Sequence, residues 1–261
     1  MRILMIGDIV GKPGRRAVQE FLPGLRSEYG IDFVVANGEN AAGGLGITVS
    51  TAQELLKATV DVITTGNHVW AKREIVAYLD GGELPIIRPV NYPPGAPGRG
   101  YILKNKVAVV NLMGRVFMGD YDCPFRAMDS LLNEIADKAK TIIVDFHAEA
   151  TSEKVAMGRY LDGRVTALIG THTHVGTVDS CILPGGTAYV TDVGMVGPVD
   201  SVIGDDADSV LYSFLTRMPH RLSVGKGRAV FNAMLVEVNK SSGKALTIER
   251  ICREEGMIFE G

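Results

Sequence analysis

A chain of 261 residues is long enough for one large domain or two small ones, and 46% hydrophobic against 22% charged residues excludes an intrinsically disordered polypeptide. With 27 basic and 30 acidic residues the net charge is −3, which gives no global electrostatic reason to expect duplex nucleic acid or an anionic membrane as partner.

Short β-branched runs that end in glycine or polar clusters alternate with longer mixed-charge segments, the rhythm of an α/β fold. Strands are predicted at Arg2–Gly7, Asp32–Ala36, Asp61–Thr65, Lys106–Leu112, Thr141–Phe146 and Val165–Gly170. Helices are predicted at Gly14–Tyr29, Ser50–Thr59, Lys72–Leu79 and Pro124–Ala139. Apolar runs such as Phe33-Val34-Val35 and Ile142-Ile143-Val144 point to strands covered on both faces. Asn91–Gly100, dense in proline and glycine, reads as a surface loop. After Thr173 the chain turns β-rich, with strands predicted at Thr177–Leu183, Ala188–Asp192, Ala229–Val238 and Lys244–Ile251. We expect one domain over residues 1–261. No window approaches the roughly 20 apolar residues of a membrane-spanning helix. The apolar run at the start is broken by Asp8 and has no small-residue cleavage site. Cys123, Cys181 and Cys252 are odd in number, lie in no metal-ligand spacing and read as reduced thiols, so a cytoplasmic protein is the expectation.

Ligands of open α/β sheets gather beyond the carboxyl ends of strands, and here successive strands end in one chemical type. Gly7-Asp8, Asn37-Gly38-Glu39-Asn40, Gly66-Asn67-His68, Asp145-Phe146-His147 and Gly170-Thr171-His172-Thr173-His174 take four of the five histidines. Carboxylate, amide and imidazole groups at one edge make an N/O site for divalent metals, harder than a thiolate site. Taken singly, Asp8 and Asn67 read as turn or cap residues, and His147 reads equally as a hydrogen-bonded core histidine. His172 and His174 on a strand would point both rings to one face, whereas a tight turn would splay them toward two metals. Isolated turn residues have no reason to recur at equivalent strand ends.

At these residues the chain resembles the calcineurin-like metallophosphoesterases, whose motifs run D-x-H, G-D-x-x-D, G-N-H-[DE], H and G-H-x-H. Three departures stand: Val10 holds the place of the D-x-H histidine, Glu39 that of the bridging aspartate, and Thr171 separates Gly170 from the histidine pair. The segments GDIVGKPGRR, NGENAAGGLGIT, TTGNHVW, DFHAEATSEK and GTHTHV together are similar to the YmdB-like branch of that family, metal-dependent cyclic-nucleotide phosphodiesterases. The resemblance covers nearly the whole chain. It implies an α/β fold, a four-layer α/β/β/α sandwich with two central mixed sheets. It also implies that Asp8, Glu39, Asn40 and His174 hold one metal and Glu39, Asn67, His147 and His172 the other, with Glu39 bridging. Iron is the metal the resemblance favours; few imidazoles at the first position make iron or manganese a better fit than a closed zinc site, with zinc as the alternative.

Two metals about 3.5–4 Å apart can generate hydroxide at neutral pH and clamp the oxygens of an in-line phosphoryl transfer. His68 is then assigned general acid toward the leaving oxygen, a role worth about 10²–10⁴-fold in rate; the alternative is that it orients hydroxide or substrate. The expected function is hydrolysis of 2′,3′-cyclic nucleotides, with 3′,5′-cyclic nucleotides as a second class, to nucleoside monophosphates by metal-bridged hydroxide. The alternatives are a phosphomonoesterase on small metabolites or phosphoprotein, and a non-catalytic metal-bearing regulator that binds nucleotide or RNA. The expected partner is a small phosphodiester, with no membrane and no duplex nucleic acid; a homo-oligomer is left open. Gly7–Pro13 fails as a phosphate loop, with three residues rather than four between its glycines and a proline after Lys12. Arg88, Arg115 and Arg126 are candidate phosphate contacts, though each reads better as a surface arginine, and Phe117, Tyr121 and Phe125 are candidate stacking partners for a base, with core packing at least as good a reading. Asp205-Asp206 reads as a helix cap or solvent-facing pair and His220 as a surface histidine.

Overall fold

A computed structural model of the chain describes residues 1–135 and 137–256; residues 257–261, the end of the expected domain, lie outside the described residues. The chain runs β1 (Arg2–Ile6), β2 (Asp8–Ile9), α1 (Gly11–Glu28), β3 (Phe33–Asn37), α2 (Val49–Lys57), β4 (Val62–Thr64) and α3 (Ile75–Gly81). It continues through β5 (Tyr101–Lys104), β6 (Val107–Met113), α4 (Pro124–Ile135), β7 (Thr141–His147), α5 (Thr151–Leu161) and β8 (Ala167–Thr171). Then come β9 (Cys181–Ile182), β10 (Ala188–Val190), β11 (Met195–Pro198), α6 (Ala207–Thr216), β12 (Ala229–Val238) and β13 (Ala245–Glu254).

Successive side chains of a strand point to opposite faces, and that alternation builds the layers. Ile3 and Met5 of β1, Phe33 and Val35 of β3, Val107 and Val109 of β6 and Ile143 of β7 share one apolar cluster between two sheets. Their neighbours Leu4, Ile6, Val34 and Ala36 face outward onto Ala17, Val18 and Leu22 of α1 and Ala52 and Leu55 of α2. On the other side Ala108, Val110, Val144 and Phe146 face Met128 and Leu131 of α4 and Met157 and Leu161 of α5. The result is a four-layer α/β/β/α sandwich. One sheet has the order β2-β11-β12-β1-β3-β4, with β13 also paired to β12; the other has the order β5-β6-β7-β8-β10-β9. Both are mixed: β1, β3 and β4 are parallel beside antiparallel β12, and β6, β7, β8 and β10 are parallel between antiparallel β5 and β9.

Several elements differ from the sequence reading. The strand placed at Thr177–Leu183 shrinks to Cys181–Ile182; at its start the Thr177 hydroxyl donates to Asp179 at 2.6 Å, a local side-chain bond that competes with extended pairing. The helix placed at Pro124–Ala139 ends at Ile135, and Ala136 lies outside the described residues. The helix placed at Lys72–Leu79 begins only at Ile75. Helices α5 and α6 and strands β5 and β11 were not anticipated: α5 buries Glu153 and Lys154 on its inner face, which hides its apolar period, and α6 is apolar on its exposed side. Among the described residues no helix is long and apolar enough to cross a membrane.

Phe33 is among the largest fully buried side chains of the layer between the sheets. Truncation to alanine is expected to cost about 3–5 kcal/mol of stability, read from urea or thermal unfolding. An unchanged midpoint would contradict this account of the core.

Candidate metal centre

The carboxyl ends of β1, β3, β4, β7 and β8 open onto one edge of the sandwich, and the polar residues that follow them meet there. Asp8 enters through Gly7, where a Cβ would lie 1.8 Å from the Gly194 carbonyl oxygen. Asp8 is fully buried, and its Oδ2 accepts the His172 N–H at 3.1 Å. Its Oδ1 has no hydrogen-bond partner; His147 Nδ1 at 3.8 Å and His174 Nε2 at 4.0 Å are the nitrogens facing it. A buried carboxylate oxygen without a donor is costly, and a bound cation is the usual remedy.

Around His147 Nε2, Glu39 Oε1, Asn67 Oδ1 and His172 Nδ1 all stand at 3.1 Å. One imidazole N–H cannot serve three acceptors, whereas a metal ion can take all four as ligands. Ligand atoms of Glu39, His147 and His172 lie within 4.8 Å of one another, a spacing suited to one metal ion. A second cluster adjoins it. The Asn40 amide nitrogen lies 3.2 Å from His174 Nε2 and 3.2 Å from Glu39 Oε1. Glu39 thus stands between the clusters, its other oxygen accepting the His68 N–H at 3.0 Å. The two rings of the His172–His174 turn are splayed, not aligned, because His172 and His174 adopt φ of 97° and 65°. Left-handed backbone at two non-glycine residues costs on the order of 1–3 kcal/mol each and persists only where neighbours enforce it.

Those neighbours are specific. Lys154 of α5, wholly buried, donates to the Thr171 carbonyl at 2.7 Å and to Asp192 Oδ2 at 2.8 Å. Asp192 in turn accepts the Thr173 N–H at 3.2 Å and hydroxyl at 2.8 Å, and through Oδ1 the Gly194 N–H at 2.8 Å. His147 is oriented by a relay: Nδ1 lies 3.0 Å from the Thr171 hydroxyl, which donates to Asp145 Oδ1 at 2.6 Å. Asp145 also accepts Asn37 Nδ2 at 3.0 Å and the Thr64 hydroxyl. With its Nδ1 proton given to Thr171, His147 turns the Nε2 lone pair to the site. His172 Nε2 meets Glu149 Oε2 at 3.2 Å and His174 Nδ1 donates to the Ile203 carbonyl at 2.6 Å, which leaves the opposite nitrogen of each ring facing the ligand clusters. Gly66 provides clearance, since a Cβ there would lie 2.3 Å from His147 Cδ2 and 2.4 Å from Glu39 Oε2.

The charges are strongly coupled. Burial pushes the Asp8 carboxyl up, against the opposing pull of His174 and His147. Burial also pushes Asp145 up to about 6. At Glu39 burial acts upward but is outweighed by His147 and His68, whose charge and hydrogen bonds hold the carboxyl well below its ordinary 4.5. Burial disfavours a charged His147, yet Glu39 more than compensates and brings it up to about 9. His172, buried and beside that imidazolium, falls to about 3.

All eight residues singled out in the sequence, Asp8, Glu39, Asn40, Asn67, His68, His147, His172 and His174, converge here. Val10 is instead packed in apolar surroundings, within contact of Gly197 and Gly204. The cleft above the clusters, about 290 Å³, is lined by Glu39, Asn40, His68, His172 and His174 together with Glu149, Ile203 and Asp205. Asp206 caps α6 by accepting the Ser209 N–H at 3.0 Å. Asp205, expected beside it as a cap or solvent-facing residue, turns into the cleft. Arg88 donates to the carbonyls of Pro89, Ala96 and Pro97 at 2.8, 3.1 and 3.2 Å and is structural. Neither it, Arg115, Arg126, Phe117, Tyr121 nor Phe125 lines the cleft. Lys154, Asp192, Asp145 and Glu149 were missed as site-supporting residues. Thr171 was visible only as an insertion in the motif.

Residues 4–251 match the YmdB-like protein family. The chain is 46% identical, over its full length and that of the relative, to the 2′,3′-cyclic-nucleotide 2′-phosphodiesterase of Bacillus subtilis. The fold superposes with a TM-score of 0.92 on a Thermus thermophilus crystal structure described as a hypothetical protein, 45% identical and covering 98% of this chain and 100% of that one. It superposes with a TM-score of 0.91 on a phosphatase from Mycoplasma pneumoniae, 34% identical, covering 97% and 93% of the two chains.

Two substitutions probe this geometry. Gly66→Ala is expected to reduce metal content, measured by elemental analysis, and to cost about 1–3 kcal/mol through overpacking. Lys154→Met removes one partner of a buried ion pair and is expected to cost about 3–5 kcal/mol. Full stability and full metal content in Lys154→Met would show that the ion pair does not hold the histidine turn.

Proposed function

We propose that this chain, which belongs to the YmdB-like protein family, is a metal-dependent phosphodiesterase that opens 2′,3′-cyclic nucleotides, and 3′,5′-cyclic nucleotides as a second class, to nucleoside monophosphates. The observation that carries the diester reading is the lining of the cleft. It contains no lysine or arginine, and Glu149 and Asp205 add two carboxylates beside the ligand clusters. A phosphodiester brings one negative charge, whereas a monoester brings about −1.5 to −2 at pH 7, so these carboxylates penalise the monoester more. The substrate named for the Bacillus subtilis relative supports the cyclic-nucleotide class.

In this reading Asp8, Glu39, Asn40 and His174 would hold one ion and Glu39, Asn67, His147 and His172 a second, with Glu39 shared. The partnerless Asp8 Oδ1 and the crowded surroundings of His147 Nε2 fit such ions, and an oxygen-and-imidazole donor set without thiolate suits iron or manganese. When bound, the ions supply Lewis acidity to the phosphoryl oxygens and lower the pKa of water. The remaining work falls to His68. Its Nδ1 is held 2.7 Å from the Asn40 amide, which leaves Nε2 for the cleft. The Asn40 amide oxygen accepts the Nδ1 proton, so the imidazolium form carries its second proton on Nε2. There it can be passed to the leaving ribose oxygen. Opening at the 2′ ester yields a 3′-nucleotide.

The test is steady-state hydrolysis of 2′,3′-cyclic AMP and of p-nitrophenyl phosphate by protein reconstituted with manganese or iron. The diester is expected to be turned over at least about tenfold more efficiently, and Asn67→Ala or chelation to abolish turnover. His68→Ala is expected to lower kcat about 10²–10⁴-fold with metal content unchanged. Preference for the monoester would overturn the diester reading in favour of a phosphomonoesterase, and metal-loaded protein inert toward both would overturn the enzymatic one.

A further inference from the structure

The edge of the sandwich opposite the metal clusters has the reverse electrostatic character. There the amino ends of β1, β6 and β7 and the turn between β12 and β13 enclose a cavity of about 750 Å³. Lys106 of the β5–β6 turn, Lys138 and Lys140 just before β7, and Lys240 of the β12–β13 turn line it. Among the described lining residues Asp137 is the one carboxylate. In a chain whose net charge is −3, four ammonium groups around one cavity concentrate a charge that the molecule as a whole lacks. Little inside the chain offsets it. Lys138 meets Glu134 at 3.5 Å, an exposed pair of small worth. Lys106, Lys140 and Lys240 have no carboxylate at ion-pair distance among the described residues.

The walls that carry these lysines are fixed to one another. Asn239 Oδ1 ties the β12–β13 turn by accepting the N–H groups of Ser241 and Ser242 at 3.0 and 3.2 Å. Gly243, with φ of 75°, packs so closely that a Cβ there would lie 2.0 Å from the Lys140 carbonyl oxygen. Its own carbonyl accepts the buried Thr166 hydroxyl at 2.6 Å, and Lys140 Nζ donates to the Ser241 carbonyl at 3.3 Å. Lys240 on the first sheet and Lys140 on the second are therefore held across the seam between the sheets. Lys106 is placed at a cost. It is the second residue of a two-residue hairpin turn between Lys104 and Val107, where Asn105 and Lys106 adopt φ of 52° and 65°. Glycine is the unstrained choice at that position, and a lysine there brings its charge to the cavity wall.

The lining selects the occupant. A cavity of this size suits one small ligand. Lysines act on phosphate as point charges, and no aromatic side chain lines the cavity to stack a base, as a groove for single-stranded nucleic acid requires. A lone phosphate, at about −1.5 to −2, leaves half of the lysines uncompensated, whereas a triphosphate chain adds one charge at each linking phosphate and brings about four. We propose that this cavity is a binding site for a small molecule bearing a chain of three or more phosphates, held by Lys106, Lys138, Lys140 and Lys240. A nucleoside triphosphate and inorganic tripolyphosphate share that chemistry. The site lies at the strand ends opposite the metal centre and stands independently of the reaction there.

Isothermal titration calorimetry on the full chain, as purified and after chelation of divalent ions, tests this without reference to activity. Tripolyphosphate and ATP are each expected to occupy one site per chain that persists after chelation, and to compete for it. Orthophosphate and citrate are expected to bind at least about tenfold more weakly. Lys106→Gln with Lys240→Gln is expected to weaken tripolyphosphate about tenfold or more, with circular dichroism and melting unchanged, while the paired arginine variants retain binding. Tighter binding of ATP than of tripolyphosphate identifies a nucleoside polyphosphate as the occupant, and the reverse order the inorganic chain; both support the site. Absence of binding by either probe, binding lost on chelation, or binding indifferent to the glutamine variants overturns it. A single-stranded RNA oligomer bound as tightly as tripolyphosphate overturns the small-ligand assignment.

Discussion

Asp8, Glu39 and Asp145 are fully buried carboxylates gathered around one buried imidazole, His147, and much of the architecture answers the cost of placing them there. A buried charge without compensation costs several kcal/mol. Asp145 is compensated by donors from both sheets, Asn37 and Thr64 on one side and Thr171 on the other. Glu39 is compensated by the His68 N–H and by imidazoles. Asp8 is compensated at one oxygen and not at the other. The sandwich brings two sets of parallel strand ends together so that each supplies what the other lacks. The remaining imbalance, an excess of acceptors around His147 Nε2, is of the kind a metal ion corrects.

Supporting groups then fix the direction of each ring. His147 is turned by Thr171, His174 by the Ile203 carbonyl and His172 by Glu149, so each presents its remaining nitrogen to the site. The two left-handed residues of the histidine turn are held in place by a chain that begins inside α5. Lys154 grips Thr171 and Asp192, and Asp192 grips Thr173. A strained turn anchored by a buried ion pair keeps ligand positions fixed when substrate or solvent exchanges, as a preorganised site requires.

The ligand residues could be read from the sequence because each sits directly after an apolar run, where a short strand must end and its polar successor must face the strand-end crevice. Strands of alternating buried layers were readable for the same reason, as at Phe33–Asn37 and Thr141–His147, whose runs were placed within a residue or two. The supporting residues carried no such signal. Lys154 lies on a helix whose inner face mixes charge with apolar groups, so neither its helix nor its burial shows as periodicity. Thr171 looked like a departure from the histidine motif, yet its hydroxyl links His147 to Asp145, a contact set by the register of His147 opposite Thr171 in the β7–β8 pair. Val10, the other departure, packs against Gly204 and does not reach the site. Helix α6 escaped detection because its apolar residues face outward.

Metal ions are expected between the two sets of strand ends. Anomalous diffraction from crystals of manganese-loaded protein tests this most directly. Two peaks per chain about 3.5–4 Å apart are predicted, with Glu39 between them, one beside Asp8, Asn40 and His174 and the other beside Asn67, His147 and His172. A single peak, or none within ligand distance of these residues, would contradict it.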